Sequence, residues 1–130
     1  MDANIELVQH LYGAFMQGDR EAVRAAVSPD VTFSAPGSSA VSGTWRGADA
    51  VIEHLFEGDP LVEDYRLDVV DMLASDTRVA VIATTSGLRD GRRIVNDFVQ
   101  VLTIAEGRVA EVRNYAFDLA GLEEALSAPA

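Results

Sequence analysis

Three uncharged amide side chains fall within a predicted β-hairpin in the second half of the chain. Two β-rich runs, Ile94–Ile104 and Val109–Phe117, flank a four-residue turn segment. Since successive side chains in a strand point to opposite faces, Asn96 and Gln100 share one face of the first run. Asn114 lies on the corresponding face of the second run, so one face of the predicted hairpin carries all three amides. Amides among apolar residues are typical of a ligand cavity. Buried amides also often only bond a neighbouring backbone group, and that alternative stays open.

The chain has two histidines, His10 and His54. Imidazole exchanges a proton near neutral pH, so it suits general acid–base chemistry. His10 is predicted on the solvent side of a helix. Two histidines far apart, without clustered carboxylates, predict no metal site, and the scattered glycines predict no phosphate-binding loop. We therefore expect neither a metal nor a cofactor.

Three further polar or aromatic residues have both a functional and a structural interpretation. Tyr12 could donate a hydrogen bond from its phenol, or pack in the apolar stripe of the first helix. Asp118 could take part in catalysis, or cap the last helix. Trp45 could cover a pocket, or be an ordinary amphipathic aromatic residue.

Composition limits the classes of partner. A chain of 130 residues predicts one domain, and a formal net charge of −11 disfavours nucleic acid and anionic membranes as partners. The lack of cysteine excludes disulfides and thiolate metal sites. No run reads as an export signal or reaches transmembrane length, so we expect a cytoplasmic protein.

Hydrophobic periodicity predicts an α+β domain in which helices come first and long strands follow. The predicted helices are Ile5–Gln17, a short one from Asp19 to about Val27, Asp49–Phe56 and Leu119–Leu126. The predicted strands are Val31–Ala35, Thr44–Arg46, Tyr65–Ser75, Arg78–Ser86 and the hairpin. Asp90-Gly91 is typical of a tight turn between antiparallel strands.

The second face of the hairpin is also apolar, with Val95, Val99, Val101 and Tyr115 edged by charged residues. Such a patch is large for a monomer left in water. It predicts a homodimer that buries this face.

Several short motifs, in this order, resemble one known superfamily. They are Tyr12…Gly18-Asp19, Asp30–Pro36, Gly43–Gly47, Asp90-Gly91-Arg92, Gly107–Arg113 and Asp118-Leu119. The chain resembles the SnoaL-like branch of the nuclear-transport-factor-two-like (NTF2-like, cystatin-like) superfamily. That branch includes polyketide cyclases, and ketosteroid isomerase and limonene epoxide hydrolase are more distant relatives. The resemblance implies one domain over residues 1–130, a mostly antiparallel curved sheet wrapped as a cone around the N-terminal helices, and an enclosed pocket.

The catalytic groups of the two distant relatives do not carry over. The general base of ketosteroid isomerase falls on Ala35, its oxyanion-binding acid on Gln100 and its tyrosine on Leu11. The water-holding residues of limonene epoxide hydrolase fall near Phe33 and Ala35, and one of its carboxylates falls on Asn114. The resemblance therefore implies the pocket without either of these reactions.

The same resemblance places His54 on the pocket side of the third helix. A partly exposed helix histidine without a catalytic role remains the alternative, since a lone histidine needs a partner to form a site. The implied catalytic residues are His54, Gln100 and Asn114. The implied ligand-binding residues are Tyr12, Phe33, Ala35, Trp45, Val81, Thr85, Asn96, Phe98, Val112 and Asp118. Two functions remain open: a cofactor-free cyclase or isomerase acting on an apolar carbonyl compound, and a non-catalytic protein that binds a small apolar ligand.

Overall fold

The computed structural model describes residues 2–39, 42–58 and 63–127. Within these ranges four helices and six strands follow one another in the order that the periodicity predicts, with small shifts of their ends. In chain order they are α1 (Ala3–Met16), α2 (Arg20–Ala26), β1 (Val27–Ala35), β2 (Gly43–Arg46), α3 (Ala48–Glu57), β3 (Glu63–Ala74), β4 (Arg78–Arg89), β5 (Arg92–Ala105), β6 (Arg108–Ala116) and α4 (Leu119–Ser127).

The six strands form one curved, unclosed sheet in the order β2-β1-β6-β5-β4-β3. β1 runs parallel to β6, and every other pair is antiparallel. Residues of α1, α2 and α3 pack with residues of the strands in one buried apolar cluster. The predicted α+β cone is confirmed.

Local sequence signals set the ends of several elements. The Asp2 carboxylate accepts hydrogen bonds from the backbone N–H of Asn4 and Ile5 at the start of α1, and Asp19 caps α2 in the same way. Asp90 and Gly91 have φ angles of 52° and 78°, which is the left-handed pair that a tight hairpin turn requires. The predicted turn between β4 and β5 is confirmed.

β1 begins four residues earlier than the expected Val31. Its pairing with β6 shifts register between Val27 and Thr32, around Pro29. Proline has no backbone N–H to give to a neighbouring strand, so the ladder is interrupted there while the chain stays extended.

The phase of the β5–β6 hairpin is the predicted one. Gln100 pairs with Asn114 in register, and their neighbours on the same face, Phe98 and Leu102, are buried. On the other face Val95 is 56% exposed.

No helix in the described part of the chain is both long and apolar enough to cross a membrane.

Candidate functional site

A cavity of about 200 Å³ lies between the inner face of the sheet and helices α1, α3 and α4. Its wall is mostly apolar, with contributions from helices and strands alike: Leu11, Phe15, Val51, Leu55, Phe98, Leu102 and Val112. No Asp, Glu, Lys or Arg is among the described residues that line it. Apolar burial therefore dominates what this cavity offers a ligand.

A chain of hydrogen bonds crosses the cavity wall from α1 to β6. The Tyr12 hydroxyl donates to Gln100 Oε1 at 2.6 Å, and Gln100 Nε2 donates to Asn114 Oδ1 at 2.8 Å. Antiparallel pairing of Gln100 with Asn114 puts their side chains on the same face, so the strand register itself builds the second bond. The hydrogens on Asn114 Nδ2 have no acceptor among the described residues, which makes this amide a donor for a ligand.

Burial raises the pKa of the Tyr12 phenol well above its ordinary value, and the nearby Tyr65 raises it further. The phenol therefore keeps its proton through the whole physiological pH range. It acts as a fixed donor to Gln100 and cannot serve as a base.

His54 lies in an aromatic cluster at the edge of the cavity. Its imidazole stacks on Trp45 with ring centroids 3.6 Å apart and planes inclined by 13°, and Phe33 meets it at 5.2 Å and 58°. Phe33 and Trp45 are directly paired on β1 and β2, so the sheet holds both contacts in place. A Cβ on Gly58 would come within 2.7 Å of His54 Nδ1, so glycine there leaves room for the imidazole.

The structure brings most of the predicted site residues together. All three predicted catalytic residues line the cavity, and so do seven of the predicted ligand-binding residues: Tyr12, Phe33, Ala35, Thr85, Asn96, Phe98 and Val112.

Three predicted ligand-binding residues do not line the cavity. Val81 shares a sheet face with Gln100, but it is fully buried in the core, where α1 packs on β4. Trp45 lies behind the His54 ring and supports it. Asp118 caps α4, where Oδ1 accepts a hydrogen bond from the Gly121 N–H at 3.0 Å.

Residues of two other segments line the cavity without having been predicted to do so. Tyr65 and Leu67 of β3 line it, and their spacing of two residues was the available signal. Leu119, Leu122 and Leu126 of α4 also line it. Their helical spacing marked an apolar face, but nothing in the sequence specified which surface that face covers.

No cluster of three or more His, Cys, Asp or Glu side chains that could hold a metal ion occurs within residues 2–39, 42–58 and 63–127. The polar groups of the described residues that line the cavity are one imidazole, amides and hydroxyls.

Comparisons with known proteins agree with this architecture. A family model described as SnoaL-like domain matches residues 8–112. An uncharacterised protein of Mycobacterium tuberculosis is 27% identical over 124 residues, 94% of this chain and 95% of that protein. Bal32a, from a soil-derived mobile gene cassette, matches with a TM-score of 0.88 and 25% identity over 95% of this chain and 96% of that chain. An NTF2-like protein of unknown function from Burkholderia pseudomallei K96243 matches with a TM-score of 0.83 and 28% identity, over 98% of this chain and 100% of that chain.

The Tyr12→Phe substitution should lower the free energy of unfolding by about 1–3 kcal/mol, because Gln100 Oε1 loses its donor in a partly buried position. Urea unfolding at neutral pH measures the change. Thr77→Val is the control, since it removes the hydroxyl of an exposed residue in the turn between β3 and β4 and its change should stay within about 0.5 kcal/mol. Equal losses in the two variants would contradict the role given to the Tyr12 hydroxyl.

The same variant has a predicted pH dependence. In the unfolded chain a tyrosine ionises near pH 10, whereas folded Tyr12 keeps its proton to higher pH. The unfolded chain therefore releases this proton first, and the free energy of unfolding falls as the pH rises above about 10. That fall should be smaller in Tyr12→Phe than in the wild type.

Proposed function

The chain belongs to the SnoaL-like domain family, and we propose that it is a cofactor-free enzyme that moves a proton on a small apolar carbonyl compound. The family and its NTF2-like neighbours support a small-molecule isomerase or cyclase type of fold. The proposal for this chain rests on its own cavity.

One observation carries the proposal. Among the described residues that line the cavity, His54 alone has a side chain that ordinarily exchanges protons near neutral pH. It shares the cavity with Gln100 and Asn114, which supply uncharged hydrogen-bond donors. A base and an oxygen-binding donor in one apolar enclosure are the two parts that enolisation needs.

The proposed reaction begins when the neutral imidazole of His54 takes a proton from the carbon next to the substrate carbonyl. The electron pair of that C–H bond moves towards the carbonyl oxygen, which becomes an enolate. Asn114 Nδ2 donates a hydrogen bond to this oxygen, and the Tyr12–Gln100 pair fixes the orientation of that amide. In an isomerase acting on a β,γ-unsaturated ketone, the enolate is conjugated and the imidazolium returns the proton to the γ carbon. In a cyclase, the enolate carbon attacks a second carbonyl carbon, and the oxygen of that carbonyl takes the proton back from the imidazolium.

Stacking on Trp45 suits this role for His54. The flat contact fixes the plane of the imidazole against the Trp45 ring. Holding a catalytic group near its reacting position removes a large part of the entropic barrier.

Deuterium exchange into α-tetralone, an uncharged bicyclic ketone, tests the proposal without knowledge of the natural substrate. In D₂O the wild-type protein should accelerate exchange next to the carbonyl above the buffer rate, as followed by proton NMR. His54→Ala should lose about a hundredfold of that acceleration, the usual contribution of a general base.

His10→Ala is the matched control for this experiment, because His10 is an exposed residue of α1. It should exchange deuterium at the wild-type rate. No acceleration by the wild type, or the same rate in His54→Ala as in His10→Ala, would count against a catalytic His54.

The second candidate is a non-catalytic protein that binds a small apolar ligand. The observation that favours it is the uncharged character of the wall among its described residues. The resemblance to ketosteroid isomerase and limonene epoxide hydrolase also implies that Ala35, Gln100 and Asn114 stand where those enzymes carry acids. Binding of α-tetralone without accelerated exchange would support this candidate over the first.

We also propose that a second copy of the chain covers the outer face of the sheet. Ile82, Val99 and Tyr115 form one row across β4, β5 and β6 of that face, and Ile82 and Tyr115 are exposed. The acidic Glu111 and the basic Arg113 lie at the edge of this row. A two-fold axis through the row places the acidic residue of each copy opposite the basic residue of the other copy.

Val99→Asp should convert this dimer to a monomer, because it places a carboxylate in the centre of the buried apolar row. Sedimentation at micromolar concentration measures the mass of the species. Thr77→Asp adds the same charge in the exposed turn between β3 and β4 and should remain dimeric. A wild-type protein that sediments as a 13.9 kDa species would refute the dimer.

A further inference from the structure

The cavity contains a second group of polar side chains, separate from the Tyr12–Gln100–Asn114 chain. Thr85 of β4 and Asn96 of β5 are directly opposite each other in the antiparallel ladder, and both line the cavity. Neither side chain has a hydrogen-bond partner within the described part of the chain. The first group is internally bonded, whereas this one is open to the cavity.

The open hydrogen-bonding capacity of Thr85 and Asn96 points to a ligand. Among the described residues, no fully buried side-chain nitrogen or oxygen lacks a partner. The free amide of Asn96 and the free hydroxyl of Thr85 therefore have access to the space of the cavity. Polar groups on an apolar wall cost free energy unless something bonds them, and a ligand can supply that bond.

The spacing of the two polar groups along β5 sets a length. Asn96 and Gln100 are four residues apart on the same face, which is about 13 Å along an extended strand. Phe98 lies between them, and both of its cross-strand partners, Ala83 and Ala116, are alanines. These small neighbours keep the middle of this face apolar, and Phe98 and Ala116 line the cavity there.

We propose that Thr85 and Asn96 form a second polar subsite, and that the ligand is an elongated uncharged molecule with an oxygen function at each end and an apolar middle. One oxygen bonds the Gln100–Asn114 end and the other bonds the Thr85–Asn96 end, while the apolar middle packs on Phe98. This inference rests on the proposed use of the cavity as a small-molecule site and adds the class of molecule that fits it.

Four rigid probes test the subsite: biphenyl, biphenyl with one para hydroxyl, biphenyl with a para hydroxyl on each ring, and the isomer with both hydroxyls ortho to the central bond. Isothermal titration calorimetry gives their dissociation constants. In the wild type the first para hydroxyl should tighten binding about 3–10-fold and the second by a similar factor. The ortho isomer should gain less, because its hydroxyls cannot reach both ends.

Variants remove the hydrogen-bonding side chains of one end of the cavity at a time. Thr85→Val is close in shape and removes one hydroxyl, and Asn96→Leu removes the amide. Both should abolish the gain from the second hydroxyl while leaving the affinity for biphenyl within about twofold. Gln100→Leu should likewise leave only one gain, because the probe with one hydroxyl can bind in the reverse direction and bond the Thr85–Asn96 end. Thermal unfolding of each variant checks that it is folded, and Thr85→Val keeps the test available if Asn96→Leu is unstable.

The outcomes separate this proposal from the proposed function. If the second para hydroxyl adds nothing in the wild type, or its gain survives Thr85→Val and Asn96→Leu, the second subsite is refuted while the carbonyl site stands. If none of the probes binds the wild type, the cavity is not a site for apolar molecules, and both proposals fail.

Discussion

The register of β5 against its two neighbours is the constraint on which the site depends. The pairing of Gln100 with Asn114 and of Asn96 with Thr85 places every amide of the hairpin on the inner face. A slip of one residue would turn all of these amides outward and bring the outer valines into the core. Two turns with left-handed residue pairs, at Asp90-Gly91 and Glu106-Gly107, prevent that slip because they fix where each strand reverses.

The electrostatic character of the cavity differs from that of the chain as a whole. The protein carries a formal net charge of −11, yet no acidic or basic residue is among the described residues of the cavity wall. Orientation of a ligand then depends on hydrogen bonds whose donors do not titrate near neutral pH, with the Tyr12 phenol held protonated by burial. His54 supplies the one imidazole among the described residues of this wall, and its ring is held by aromatic contacts with Trp45 and Phe33.

The strands and the inner face of the hairpin could be predicted because alternation and turn residues act locally. The amides were identified for that reason, although the hydrogen bond from Tyr12 to Gln100 joins residues 88 positions apart and has no local signal. Val81 shows what strand alternation alone does not determine. Alternation placed it correctly on the inner face, but only the packing of α1 on β4 determines that it lies in the core. The contribution of α4 to the cavity likewise depends on the path of the chain after β6.

This cavity should bind uncharged molecules in preference to charged ones, and a pair of nearly isosteric compounds measures that preference. Biphenyl-4-carboxamide and biphenyl-4-carboxylate differ in charge and little in shape. Calorimetry at neutral pH should give the amide an affinity at least about tenfold higher, because the described cavity wall offers the carboxylate no arginine or lysine to offset its loss of hydration. Equal affinities, or tighter binding of the carboxylate, would show that the cavity does not prefer uncharged molecules.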